Sequence, residues 1–284
     1  MMEFETVIEA SDLLPILKDP NLAVFDCRFS LQDPEQGRKE YLKGHIPGAV
    51  YLDLDHDLSG KIIPGKTGRH PFPEADEYAA RLSAWGVGPG TQVIAYDDLS
   101  GAIAARLWGL LRWLGHKKAA VLSGGWRGWV DQGNPVSREI TQRSTRVFQA
   151  KPIEDFLLTA DDVAELLSRK DYLIVDSRSK PRYLGIEEPI DEIAGHIPGA
   201  VSFPYEENLD PEGYFLSEAE LKIRFEEAFG QHPSEKMVFY CGSGVTSIHN
   251  LIALLSIGKD LPKLYPGSWS DWILNPERGI EKGS

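Results

Sequence analysis

The chain has 284 residues, 42% of them hydrophobic, and a formal charge of −13. That length suits one large or two medium domains, and the composition is that of a chain able to pack a core in each. The acidity argues against general attraction to nucleic acid or to an anionic membrane, though not against a locally basic pocket for a small anion.

Read in chain order, the N-terminal segment Met1 to Ala10 carries Glu3, Glu5 and Glu9 and no basic residue, unlike a secretory signal or transit peptide. A short helix is predicted over 10–17 and a buried strand over 23–26. The turn Gly44-His45-Ile46-Pro47-Gly48 follows, then a short apolar strand. An amphipathic helix is predicted over 74–85, a strand ending at Asp97, a helix over 102–114 and a last strand over 120–122. The same order then repeats: a helix over 160–169, a strand over 172–176, a helix over 218–229, a strand ending at Cys241, a helix over 246–257 and a strand at 263–264. Brief strands rich in Val, Ile and Leu, alternating with helices, indicate an α/β fold with a mainly parallel sheet in each half, covered by helices on both faces. No run approaches the roughly 18 apolar residues of a spanning helix.

The repeat is also literal. Gly44-His45-Ile46-Pro47-Gly48-Ala49-Val50 recurs unchanged as Gly195-His196-Ile197-Pro198-Gly199-Ala200-Val201. Asp26-Cys27-Arg28 answers Asp176-Ser177-Arg178, and the Gly-Trp segment at 124–129 answers that at 267–272. Landmarks in one order at nearly one offset mean a duplicated domain. The expected division is 1–136, a linker at 137–152 containing the polar stretch Ser137–Arg146, and 153–284. Because His45, His196, Asp26, Asp176, Arg28 and Arg178 occur in both copies, they are read as structural. The four tryptophans Trp126, Trp129, Trp269 and Trp272 are read as packing residues.

The two copies differ at one strand end. The second has Cys241-Gly242-Ser243-Gly244-Val245-Thr246 before a helix; the first has Asp97. Loop amides and the positive end of a helix favour a thiolate over a thiol, and the thiolate is the nucleophile. A carboxylate at that position cannot do thiolate chemistry. Cys27 closes a buried strand and is read as core. With only two cysteines, in different halves, neither a disulfide nor a cysteine-only metal site is expected, and the seven histidines show no ligand spacing. A reduced cytoplasmic protein without structural metal is the simplest expectation.

These motifs resemble the tandem rhodanese sulfurtransferases over nearly the whole chain. The cysteine loop looks most like that of the 3-mercaptopyruvate branch. The thiosulfate branch typically carries Arg and Lys directly after the cysteine, where Gly242 and Ser243 stand here. The resemblance implies two rhodanese-like domains and transfer of a sulfane sulfur from a small anionic donor through a Cys241 persulfide. It implies one active half: a carboxylate such as Asp97 cannot form a persulfide, so the first half is expected to be catalytically silent, packing against the second and walling one side of a cleft. The acceptor would be cyanide, a small thiol or a thioredoxin-like protein, with no cofactor and no metal. It implies that Arg182 binds the donor's anionic group and that Gly242, Ser243, Gly244, Val245 and Thr246 line the donor site. It offers His70, and less well Asp55, as a proton relay with Ser243. One departure stands out. The branch usually carries a second arginine shortly before Gly-His-Ile-Pro-Gly, and the segment 187–194 here has none.

Of three other readings, two are open at this point. Thiosulfate:cyanide transfer is the first, and a non-catalytic sulfur carrier or binding module is the second. A cysteine phosphatase is the third, and it fails because it needs an arginine six residues after the cysteine, where Ser247 stands.

Overall fold

The computed structural model describes residues 3–283, which fall into two compact units. One runs through Gly60 and takes in Pro73–Ile153 and Asp210–Phe215; the other holds Lys61–Phe72, Glu154–Leu209 and the chain from Leu216 onward.

The first unit is a five-stranded parallel sheet. Its strands are β1 (Val7–Ile8), β2 (Leu22–Asp26), β3 (Val50–Tyr51), β4 (Gln92–Tyr96) and β5 (Ala119–Leu122), in the order β1-β5-β4-β2-β3. Every residue of β2, β4 and β5 is buried, as parallel strands covered by helices require. The helices are α1 (Ala10–Leu13), α2 (Gln36–Lys43), α3 (Ala75–Ala84), α4 (Ala104–Trp113) and α5 (Gly125–Asp131). The helix expected over 10–17 is α1 plus a 3-10 turn, Leu14–Ile16, because Pro15 has no N–H to continue the α ladder. The helix expected from 102 starts at Ala104, because residues 98–103 first wrap around the Asp97 carboxylate.

The second unit has four parallel strands: β6 (Leu173–Asp176), β7 (Val201–Ser202), β8 (Met237–Tyr240) and β9 (Lys263–Leu264), in the order β7-β6-β8-β9. A single parallel bridge from Leu157 to Leu264 stands where β1 stands in the first unit. Its helices are α6 (Ala160–Leu166), α7 (Lys180–Tyr183), α8 (Glu218–Phe229), α9 (Ser247–Ser256) and α10 (Ser268–Trp272). Two of them begin where capping boxes dictate: Thr159 with Asp162, and Ser217 with Glu220. Among the described residues, no helix is long and apolar enough to cross a membrane.

The units depart from the expected halves at three segments. Residues 61–72 belong with the second unit and residues 210–215 with the first. Tyr214 explains the latter, since it fills the space left open by two glycines: a Cβ on Gly124 or Gly128 would fall 2.4 or 2.7 Å from its ring and hydroxyl. The polar stretch expected as a linker lies along the first unit. Ser137 bridges His45, the Arg146 N–H donates to the Ser83 carbonyl at 3.0 Å, and the Ile153 N–H donates to the Trp113 carbonyl at 2.8 Å.

The duplicated residues form one frame twice. Arg28 pairs with Asp26 at 2.6 Å and donates to the Gly44 carbonyl at 2.7 Å; Arg178 pairs with Asp176 at 2.6 Å and donates to the Gly195 carbonyl at 2.6 Å. His45 stacks on Tyr41 and bonds its carbonyl, and His196 does the same with Tyr183. The guanidiniums lie over Trp126 and Trp269. A buried pair of charges needs such complete satisfaction to be tolerated. Each frame ties the Gly-His-Ile-Pro-Gly turn to a strand end, and neither leaves a histidine for chemistry.

Candidate active site

Cys241 directly follows β8, at the carboxyl end of the sheet, where active residues of parallel sheets gather. Its backbone is tied at both groups: the N–H donates to Ser268 Oγ at 3.1 Å, and the carbonyl accepts from the Trp269 N–H at 3.0 Å. The loop then turns back on itself. Gly244 has φ +73°, and a Cβ there would lie 2.2 Å from the Pro266 carbonyl oxygen, so only glycine fits. Thr246 stands at the N-cap position of α9 without a side-chain capping bond, and the amide of Ser247, the first residue of that helix, acts on the sulfur.

The thiol is 1% exposed. Burial pushes its pKa up, but the hydroxyls of Thr246 and Ser247 and the amides of Ser243 and Ser247 outweigh this and lower it to about 7. The buried Ser247 hydroxyl has no hydrogen-bond partner among the described residues, which leaves it able to turn toward an anionic sulfur. Such a site stabilises a thiolate at neutral pH. Cys27, by contrast, is buried beside Asp26 and has its pKa raised well above the usual thiol range, first by desolvation and then by that carboxylate. It behaves as core.

Asp97 occupies the position of Cys241 in the first unit. Its carboxylate accepts four backbone N–H bonds, from Leu99, Gly101, Ile103 and Ala104, at 2.7–2.8 Å. The position that carries a cysteine in one unit carries, in the other, a carboxylate that fills its own ring of amides.

Ser243 and His70 come together: His70 Nδ1 is 2.7 Å from Ser243 Oγ, and both are buried. Asp55 belongs to the other unit, on the turn after β3, where its amide donates to Asp53 Oδ1 at 2.8 Å. Arg182 is held by Glu188, with Nη2 to Oε1 at 2.7 Å, and by Asp191 at 3.1 Å. Val245, within the loop, is buried. Among the described residues, no group of three or more His, Cys, Asp or Glu side chains is placed to hold a metal ion.

Several site residues escaped the sequence reading. Ser247 was used only to reject an arginine, although as the first residue of α9 it supplies both a hydroxyl and an amide to the sulfur. Ser268 and Ser270, within the repeated Gly-Trp segment, carry the loop's backbone. Glu188, Asp191 and Arg69 sit around Arg182. Arg69 adjoins His70 in sequence, which was the one available signal.

The rhodanese-like domain model matches residues 9–132 and again 159–275. The chain is 42% identical to a probable 3-mercaptopyruvate sulfurtransferase of Pseudomonas aeruginosa, over 99% of this chain and 100% of that one. It is 32% identical to bovine thiosulfate sulfurtransferase, over 93% and 90% of the two chains. Among solved structures, the 3-mercaptopyruvate sulfurtransferase SseA of Escherichia coli superposes with a TM-score of 0.80 at 29% identity, covering 94% of this chain and all of that one.

Proposed function

This chain belongs to the rhodanese-like domain family and is a sulfurtransferase; we propose that Cys241 is its sulfur carrier and 3-mercaptopyruvate its donor. The observation that carries the proposal is the thiol lowered to about 7 inside a loop that offers hydroxyls and amides but no basic side chain.

In the first step the Cys241 thiolate attacks the donor sulfur. The carbon–sulfur bond breaks, its electron pair leaves as the enolate of pyruvate, and the thiol proton of the donor passes to that carbon. A cysteine persulfide anion and pyruvate result, with atoms and charge balanced. In the second step an acceptor such as cyanide attacks the outer sulfur, giving thiocyanate and restoring the Cys241 thiolate. A covalent intermediate divides one difficult transfer into two easier ones. Ser243 and His70 form the relay that carries the proton from sulfur to carbon. Arg182 receives the donor's carboxylate. Thiols and thioredoxin-like proteins are acceptors of the same class, and such acceptors fit a reducing cytoplasm.

Steady-state rates with cyanide as acceptor test this reading. We expect kcat/KM for 3-mercaptopyruvate to exceed that for thiosulfate by at least about tenfold, a difference of one charged contact. The reverse preference would make the protein a thiosulfate sulfurtransferase. Turnover of neither would leave a sulfur carrier or binding module.

A further inference from the structure

Ser247 opens α9, and its hydroxyl and amide both act on the Cys241 sulfur. A helix end acts on an anion only from its first turn, and a hydrogen bond weakens steeply once misaligned. The placement of that turn therefore matters to the thiolate. Of the first four residues of α9, His249 and Asn250 are polar and fully buried, and the sulfur transfer derived above uses neither. Asn208, at the end of the 3-10 turn Tyr205–Asn208, is fully buried against them.

Asn250 Nδ2 donates to Ser177 Oγ at 2.9 Å and to the Phe203 carbonyl at 3.0 Å. Ser177 directly follows β6, and Phe203 directly follows β7. Their own N–H groups donate to the Tyr240 and Asp176 carbonyls at 2.8 Å, so both partners are rooted in strand ends. On its other side, Asn250 Oδ1 accepts from Asn208 Nδ2 at 2.7 Å, and the same Nδ2 lies 3.2 Å from His249 Nδ1. Asn208 Oδ1 accepts from Arg224 Nη1 at 2.5 Å. Arg224, on α8, is oriented in turn by the Pro204 carbonyl at 2.7 Å and by the Phe203 ring, whose centre lies 3.5 Å from its guanidinium carbon. Both N–H groups of each asparagine are used, and each amide oxygen has a donor. Such a network is stiff, because no member can turn without orphaning a buried polar group.

The first unit is built differently here. Arg106 stands nine residues after Asp97, as Asn250 stands nine after Cys241, and Cys27 stands where Ser177 does. Arg106 Nε donates to the Leu58 carbonyl at 3.0 Å, so the fold itself does not require amides at this place. The amide chain belongs to the unit that carries the nucleophile. We propose that Asn250 and Asn208 are positioning residues of the active site: the chain Arg224–Asn208–Asn250–Ser177 sets the first turn of α9 so that the Ser247 hydroxyl and amide meet the Cys241 sulfur. This deepens the reading of Cys241 as the reactive thiolate and rests on it. The two asparagines and Ser177 are neutral, so they act on the sulfur through the geometry of the helix end and add no charge of their own. Without the chain the helix end settles elsewhere, and the thiolate loses donors that a neutral thiol needs less.

The test follows alkylation of Cys241 by iodoacetamide against pH, with the site mapped by mass, beside the urea midpoint of each variant. Asn250→Ala should move the alkylation midpoint upward by about one pH unit, which is about tenfold less thiolate below pH 7. Asn208→Ala should move it the same way by less, since Asn250 keeps Ser177 and Phe203. Sulfur transfer lost by Asn250→Ala at about pH 7 should return in large part at about pH 9, where the thiol is ionised again. Val163→Ala, a truncation in the apolar core on α6, should unfold at lower urea yet keep the wild-type alkylation midpoint. A wild-type midpoint in folded Asn250→Ala overturns the proposal, and so does an equal shift in Val163→Ala, which would make the effect one of stability. If Asn250→Ala does not fold, Asn208→Ala and Ser177→Ala each remove one partner of Asn250, and unmoved midpoints in both overturn it. Alkylation needs no sulfur donor, so the expected shift in a protein that takes no sulfur from 3-mercaptopyruvate supports the positioning role and loses only the donor reading.

Discussion

His70 Nδ1 meets Ser243 Oγ at 2.7 Å across 173 residues of sequence. The contact has a specific consequence if it moves a proton to carbon. His70→Ala should lower turnover of 3-mercaptopyruvate by about 10²-fold or more, the usual worth of a placed acid–base group. Sulfur transfer from thiosulfate releases sulfite and needs no carbon protonation, so it should fall far less. Equal losses with both donors would make His70 a positioning group for the loop.

The sulfur environment predicts a pH profile. A thiol lowered to about 7 is mostly thiolate above that pH and mostly thiol below it. Alkylation of Cys241 by iodoacetamide should therefore rise with pH through a midpoint near 7 and level off, whereas an ordinary thiol would keep rising to about 9. Ser247→Ala and Thr246→Val each remove a hydroxyl from the anion and should move the midpoint upward. An unmoved midpoint in both would assign the effect to the loop amides and helix end alone.

Gly244→Ala tests the loop's shape. The backbone there is left-handed, and the added carbon would meet the Pro266 carbonyl oxygen at 2.2 Å. The loop must shift to admit it. Reactivity of Cys241 should drop sharply, with a loss of stability of at least about 1–3 kcal/mol in thermal or urea unfolding.

Asp97→Asn tests the filled cradle of the first unit. Four amides converge on the carboxylate, and an amide NH₂ would turn a donor toward donors. We expect destabilisation of about 3 kcal/mol, seen as a lower urea midpoint. Sulfur transfer per folded molecule should be unchanged.

The sequence showed most of the architecture because the duplication repeats whole motifs and the buried strands are continuous apolar runs. The strand ending before Cys241 and the glycine loop were legible for the same reason. Short helices such as α5 and α10 were missed, since a few residues around two tryptophans carry no periodicity. The site was legible only where chemistry and sequence coincide, as at Cys241. Arg69, Asp191 and Glu188 became visible through packing, because the segment Lys61–Phe72 joins the second unit and no local pattern encodes that association. Arg182 was expected to bind the donor's anionic group. Its ion pairs with Glu188 and Asp191 could not be read from residue types alone.

Intact mass after brief incubation of the reduced protein with 3-mercaptopyruvate tests the central claim most directly. The account predicts a gain of one sulfur atom, mapped to Cys241, lost on addition of cyanide and absent from a folded Cys241→Ser variant. A variant that still gains the sulfur, or a wild-type enzyme that turns over without ever carrying it, would contradict the account.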